Sequence, residues 1–281
     1  MEKTNNSRLR ALLQLIKAED DTYGPVLKRE LAAAIKENPS QVQTVIEEEF
    51  KEQTPLPVLH TLEEICWEDL SKQLARFSAK INPDLEEGLI LLSKFIYPSI
   101  TRKDVTSPLD ELAKQMRPYL LNATTQAEIA AIFSRQFFRI NQFHPLQANL
   151  DIKDISFARL LRKKKGSSLC LACLYILIGQ RYGLDINLVD LAGRILIHLQ
   201  DFAHQETLFI DPLDNGKILS QADCRIYIES RQIEWNDDFL RPLPSRHIIR
   251  RMIANMIYVL NKVHDERRLK FLREYLEIIK N

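Results

Sequence analysis

Glycine is scarce in this chain, 7 residues in 281, about a third of the usual share near 7%. So few turn-permissive residues point to a helix-rich protein. Cysteine is scarcer still, at 4, and Cys170 and Cys173 stand only three apart. That count and spacing exclude a disulfide framework as the organiser of the fold. Neither sign of charge dominates: 39 basic and 38 acidic side chains leave a net +1. A global electrostatic attraction to nucleic acid or to an anionic membrane is therefore lacking. No apolar run approaches the ~20 residues that a membrane-crossing helix needs. The opening residues MEKTNNSRLR contain no apolar segment of a secretory leader. Glycine-rich phosphate loops, HExxH and paired catalytic carboxylates are also missing. The expectation is a cytoplasmic globular protein of one large or two modest domains, with no nucleic-acid or membrane partner.

What is present centres on KKKGSSLCLACLYILIGQRYGL, Lys163 to Leu184. Eleven residues from Leu169 to Gly179 carry no charge, which predicts a helix buried on every face. Gly166 permits a sharp turn before it, and Ser167 or Ser168 can accept from the orphan N–H groups of the first turn. Gly183 ends it. A helix N-terminus favours a developing anion, so this is a suitable mount for a nucleophile.

Before this helix the periodicity is helical. RLRALLQLIKAED, VLKRELAAAIKEN and QVQTVIEEEF space their aliphatics by three and four, with Asn38 or Ser40 as a cap of the third. They are similar to a HEAT-type helical repeat. Four further helices are predicted: Val58 to Phe77, INPDLEEGLILLSKFIYP capped by Asn82 or Asp84, SPLDELAKQMRPYLL, and TTQAEIAAIFSRQFFRINQF. After Gly183, INLVDL, GRILIHLQDF and ETLFIDPL have the β-branched content of strands. DNG at Asp214 to Gly216 is a turn signal. A short helix over Gln221 to Ile228, a linker at Arg241 to Ser245 and a helical hairpin broken near His264 complete an α+β, predominantly helical chain.

Several of these residues carry a family resemblance. Tyr97-Pro98, Leu109-Asp110, Leu112-Ala113, the SFARLLRKKKG run ending at Gly166, Gly183, Gly193, Ile210-Asp211-Pro212, Gly216, Leu219-Ser220 and Asp223-Cys224 occur in this order. With RRMIANMIYVL near the end, they make the chain resemble the SirB-type transglutaminase-like proteins, bacterial members of the papain-like superfamily. The resemblance covers roughly Leu85 to Lys262. It implies a degenerate transglutaminase-like (papain-like) core over residues 58–243, a helical HEAT-like cap over 1–57, and a tetratricopeptide-like helical hairpin over 244–281.

Active members use a Cys-His-Asp triad, in which the His takes the thiol proton and the Asp orients the His. The resemblance places the nucleophile two residues after Gly166 and fifteen before Gly183, where this chain has Ser168. The base is expected just after Gly193, where Arg194 stands; only Asp211 keeps its residue type. Ser168, Arg194 and Asp211 are thus expected as a remnant triad at the mouth of a former active-site cleft. Cys170 as a substitute nucleophile points to nearly the opposite side of the helix from Ser168, at about 100° per residue. His198 as a substitute base has the strand parity of Arg194 but lies roughly 13 Å along, beyond hydrogen-bond reach.

The remaining candidates have plainer readings. Cys170 and Cys173 form C-x-x-C on an apolar helix without a second pair, so buried thiols are preferred over a metal site. Ser168 reads more simply as a helix cap than as a nucleophile. Arg162 to Lys165 reads as a solvated helix end, with a phosphate or acidic partner as the alternative. Arg194 is expected to pair with Asp211, since an unpaired buried carboxylate is costly. The expected function is a non-catalytic binding or regulatory module with another protein as partner and no cofactor or metal. The competing expectation is an acyl-transferase or thiol hydrolase using Cys170 or Ser168. No oligomeric state follows from the sequence.

Overall fold

In the first helix the buried Leu9, Leu13 and Ile16 recur at four- and three-residue spacings, so one stripe of a surface helix faces inward. The computed structural model describes residues 2–18, 23–146, 151–201 and 206–279. It contains α1 (Glu2–Lys17), α2 (Gly24–Glu37), α3 (Pro39–Glu49) and α4 (Leu56–Ser78). Glu19 and Asp20, read into the first helix, and Phe202, read into a strand, lie outside the described residues. The chain forms two compact units, Met1–Leu70 and Ser71–Asn281. The core of the first gathers Leu13, Leu31, Val45 and Val58. Asn38 ends α2, and its side chain accepts from Gln41 N to cap α3.

The second unit begins with α5 (Leu85–Ile96), capped by the Asp84 carboxylate, and α6 (Lys103–Leu120). The sequence pattern predicts this second helix only from Ser107, about one turn after its observed start. The helix runs through Pro108. Thr125 and Glu128 form a reciprocal capping box at the start of α7 (Gln126–Ser134). The ladder then widens into a π-helical turn, Arg135–Ile140, closed by Asn141 N on Gln136 O at 2.8 Å. The turn carries Phe137 and Phe138 into the core beside Tyr175, with centroids at 5.3 and 6.3 Å. Next come β1 (His144–Pro145), α8 (Phe157–Lys163) and β2 (Lys165–Gly166), with β1 and β2 paired in parallel.

The central helix is α9 (Ser168–Gln180), and every residue from Leu169 to Gly179 is buried. β3 (Ile186–Leu191), β4 (Arg194–Asp201), β5 (Glu206–Asp211) and β6 (Lys217–Leu219) follow as an antiparallel meander in sequence order. Alternation gives the sheet two faces. Ile186 meets Gly179 of α9 on one. On the other, Val189, Leu191, Leu196 and Phe209 share a core with Cys224 and Ile228 of α10 (Gln221–Ser230). The sheet is thus packed between α9 and α10. The segment expected as a linker is stitched to the sheet instead: Leu243 N donates to Leu188 O at 2.7 Å. α11 (Ser245–Lys262) packs on α5 and on α12 (Glu266–Ile278), and the break between these last two falls at His264, with φ +53°.

Candidate functional site

Leu191 pairs with Arg194 across the β3–β4 turn, so only Ala192 and Gly193 connect the two strands. Both have positive φ, +47° and +98°, as the right-handed strand twist requires of a two-residue hairpin. The tight turn fixes Arg194 as the first residue of β4. Ile197 pairs with Ile210, and continuing that register sets Asp211 opposite Leu196. Arg194 is then the diagonal neighbour of Asp211 on the same face, within reach of a long side chain.

The two side chains meet. Arg194 Nε donates to Asp211 Oδ2 at 2.8 Å, and Nη2 donates to the same oxygen. Asp211 Oδ1 accepts from Leu213 N at 2.8 Å and from Asp214 N at 3.4 Å. Both carboxylate oxygens are therefore occupied, which a side chain with 0% exposure requires. Burial works against the charge on Arg194, but Asp211 outweighs it and holds the guanidinium pKa above its ordinary value. That guanidinium lies 4.9 Å from the Tyr227 ring centroid, and Arg231 lies 5.1 Å from the same centroid, both within cation–π range. Arg194, Leu213, Tyr227 and Arg231, with the turn at Ala192-Gly193, line a cavity of about 300 Å3.

Ser168 is the first residue of α9, and the cap is its neighbour: Ser167 Oγ accepts from Cys170 N at 3.3 Å. The preference for Ser168 as the cap is corrected accordingly, because Ser167 is the residue with extended backbone that precedes the helix. Among the described residues no hydrogen bond joins Ser168 to Arg194 or Asp211, and it does not line their cavity. The ion pair faces α10, whereas α9 covers the other face of the sheet. The structure brings together two of the three expected positions.

The substitute residues are not brought together either. Cys170 is fully buried, its thiol donates to Ile155 O at 3.0 Å, and burial pushes its pKa up to about 12. Cys173 is also buried, with its pKa pushed well above the ordinary thiol value. The His198 ring packs on Phe209 at 5.5 Å. Its Nδ1 meets no hydrogen-bond partner among the described residues. Burial lowers its pKa, with Asp185 acting in the opposite direction. The Cys170 thiol is bonded to a backbone carbonyl and not to the His198 ring. None of their His, Cys, Asp and Glu side chains form a group of three or more fit to hold a metal ion. Arg162, Lys163, Lys164 and Lys165 are all exposed, as expected of a solvated helix end. Arg162 lies over Tyr97 at 5.1 Å, Lys164 over Phe143 at 6.0 Å, and Lys165 enters β2.

Sequence reasoning missed Tyr227 and Arg231. Tyr227 falls on the predicted helix but Arg231 lies beyond its expected end at Ile228, and only their i, i+4 spacing was available as a signal, because that spacing sets two side chains on one face. The site, α9 and the whole four-stranded sheet lie inside a longer stretch, residues 103–254, that matches the profile of the Transglutaminase-like superfamily. The chain belongs to this superfamily. No curated protein and no solved structure matches it. Within this transglutaminase-like domain Ser168 is the first residue of α9, and Arg194 is bonded to Asp211. Among the described residues no helix is long and apolar enough to cross a membrane.

Proposed function

We propose that this transglutaminase-like domain is non-catalytic, belongs to the SirB-type branch that its sequence resembles, and acts in the cytoplasm as a protein-binding or regulatory module. The Arg194–Asp211 ion pair carries the reading. A transglutaminase-type reaction needs a thiolate and a group that takes up and returns its proton. Arginine remains protonated at any working pH and has no acceptor. The carboxylate that would orient a histidine is fully engaged by the guanidinium and two backbone N–H groups. The hydroxyl of Ser168 has no base bonded to it among the described residues. Cys170, pushed up to about 12, holds almost no thiolate near neutral pH. The Arg194 cleft with its stacked tyrosine is the surface offered to another protein, since paired guanidiniums on an aromatic ring suit polar anionic groups.

Wild-type protein incubated with a glutamine-donor peptide and a primary amine should show no turnover above that of Ser168→Ala. Robust wild-type turnover lost in Cys170→Ala, or in Ser168→Ala, would instead make the chain an acyl-transferase or thiol hydrolase.

A further inference from the structure

A second cavity lies between the π-helical turn and the turn that joins β5 to β6. It measures about 570 Å3 and is lined by Arg135, Arg139, Asp214 and Lys217 together with Ser134 and Asn215. Arg135 and Arg139 are four apart, on one side of the turn. Both are exposed, and neither makes a side-chain hydrogen bond or ion pair among the described residues. Lys217 approaches from the start of β6. Asp223, which lies within its electrostatic reach, is already bonded by the Ser220 hydroxyl and backbone N–H. Three cations against the single carboxylate of Asp214 leave a net excess of two positive charges in a chain whose total charge is only +1.

The frame under these cations is rigid. Phe137 and Phe138 anchor the turn in the core, Ser134 Oγ is bonded to Tyr175 Oη at 3.1 Å, and the backbone of Gly216 presses on the Phe138 ring. π-Helical turns are rare and are frequently found at functional sites. Here the turn holds two adjacent guanidiniums without carboxylate partners. Guanidinium forks match phosphate and carboxylate oxygens. The net positive excess favours the group that carries nearly two charges at neutral pH, a phosphate monoester, over a single carboxylate. We infer that Arg135, Arg139 and Lys217 form a binding site for a phosphate-monoester group, separate from the Arg194 cleft.

The test titrates phenyl phosphate into the full chain by calorimetry, with phenyl sulfate as the monoanionic comparison. Saturable binding of phenyl phosphate is expected, tighter than phenyl sulfate. Affinity should fall by about tenfold or more in Arg135→Gln/Arg139→Gln, and by a smaller factor in Lys217→Gln. Arg162→Gln, in a different cavity, should bind as wild type does. A phosphoserine peptide distinguishes the sources. Tighter binding than phenyl phosphate assigns the group to a phosphorylated protein, and equal binding assigns it to a small phosphate ester. No saturation up to about 10 mM, equal affinity for the sulfate, or undiminished binding in the double arginine variant with native circular dichroism would each overturn the inference.

Discussion

The ring of Phe138 occupies the space that a side chain at position 216 would need. A Cβ built on Gly216 would come 2.4 Å from Phe138 Cδ2 and 3.0 Å from Ser134 Cβ, and the residue has φ +81°. Both conditions select glycine, one through backbone sterics and one through packing. Its N–H also closes the turn on Asp211 O at 2.8 Å, so the same residue connects the π-helical turn to the ion-pair strand.

Gly216→Ala should therefore destabilise the protein by about 2–5 kcal/mol, roughly 1–2 from the left-handed backbone and about 1–3 from overpacking. The midpoint of chemical denaturation measures it. A loss under about 1 kcal/mol would mean that the loop moves away from Phe138 at little cost, against the close packing of cores.

Removing the cation from the buried pair should cost more than removing both charges. Arg194→Met leaves Asp211 buried with only two backbone donors, a loss of up to about 3 kcal/mol. Solvent at the 28%-exposed Arg194 side chain holds the effect toward the lower end. Asp211→Asn alone strands the guanidinium. In the double variant the two losses should fall short of their sum by about 1 kcal/mol or more, the coupling expected of residues in one network. Additive losses would show that the pair contributes nothing as a pair.

The ion pair is also the place where the sequence was most informative. The uncharged run from Leu169 to Gly179 announces a helix buried on all sides, and that is α9. The resemblance set Arg194 and Asp211 at partnered positions, and the strand register brings them into contact. Three features left no such trace. β6 is three residues long with two exposed, and β1 and β2 are two residues each, too short for a period of two to register. The π-helical turn continues the periodicity of α7, so its extra residue is invisible without the ladder. Which face of the sheet α9 covers depends on Gly179 meeting Ile186, a tertiary choice that no local pattern encodes.

Alkylation should distinguish the cysteines. Cys66 is half-buried, whereas Cys170, Cys173 and Cys224 are buried. The pKa values of Cys170 and Cys224 are pushed up to about 12, burial being the main cause in each. At pH 8 a thiol of pKa near 12 has on the order of one thiolate in ten thousand. Iodoacetamide followed by mass spectrometry should label Cys66 first, and the other three only at rates that rise with denaturant. Native-state labelling of Cys170 as fast as Cys66 would refute its burial and restore it as a candidate nucleophile.

His198 should make stability depend on pH in the mildly acidic range. Its side chain stands on β4 opposite Phe209, the residue is 9% exposed, and its Nδ1 has no partner among the described residues. Burial favours the neutral ring, so the folded-state pKa lies below the ordinary histidine value of about 6.5. In that window the unfolded chain binds more protons than the folded one, and stability must then rise with pH. The contribution is complete above about pH 6.5 and is lost progressively as pH falls toward the lowered folded-state value. His198→Leu, which cannot titrate, should flatten the pH dependence of the thermal midpoint between about pH 6.5 and 5 while leaving the other histidines as they are. The His198 ring resonances should titrate below those of the unfolded chain. A His198 titration at or above pH 6.5 in the folded protein would sink the prediction, because it would mean that the charged ring finds a partner that outweighs its burial.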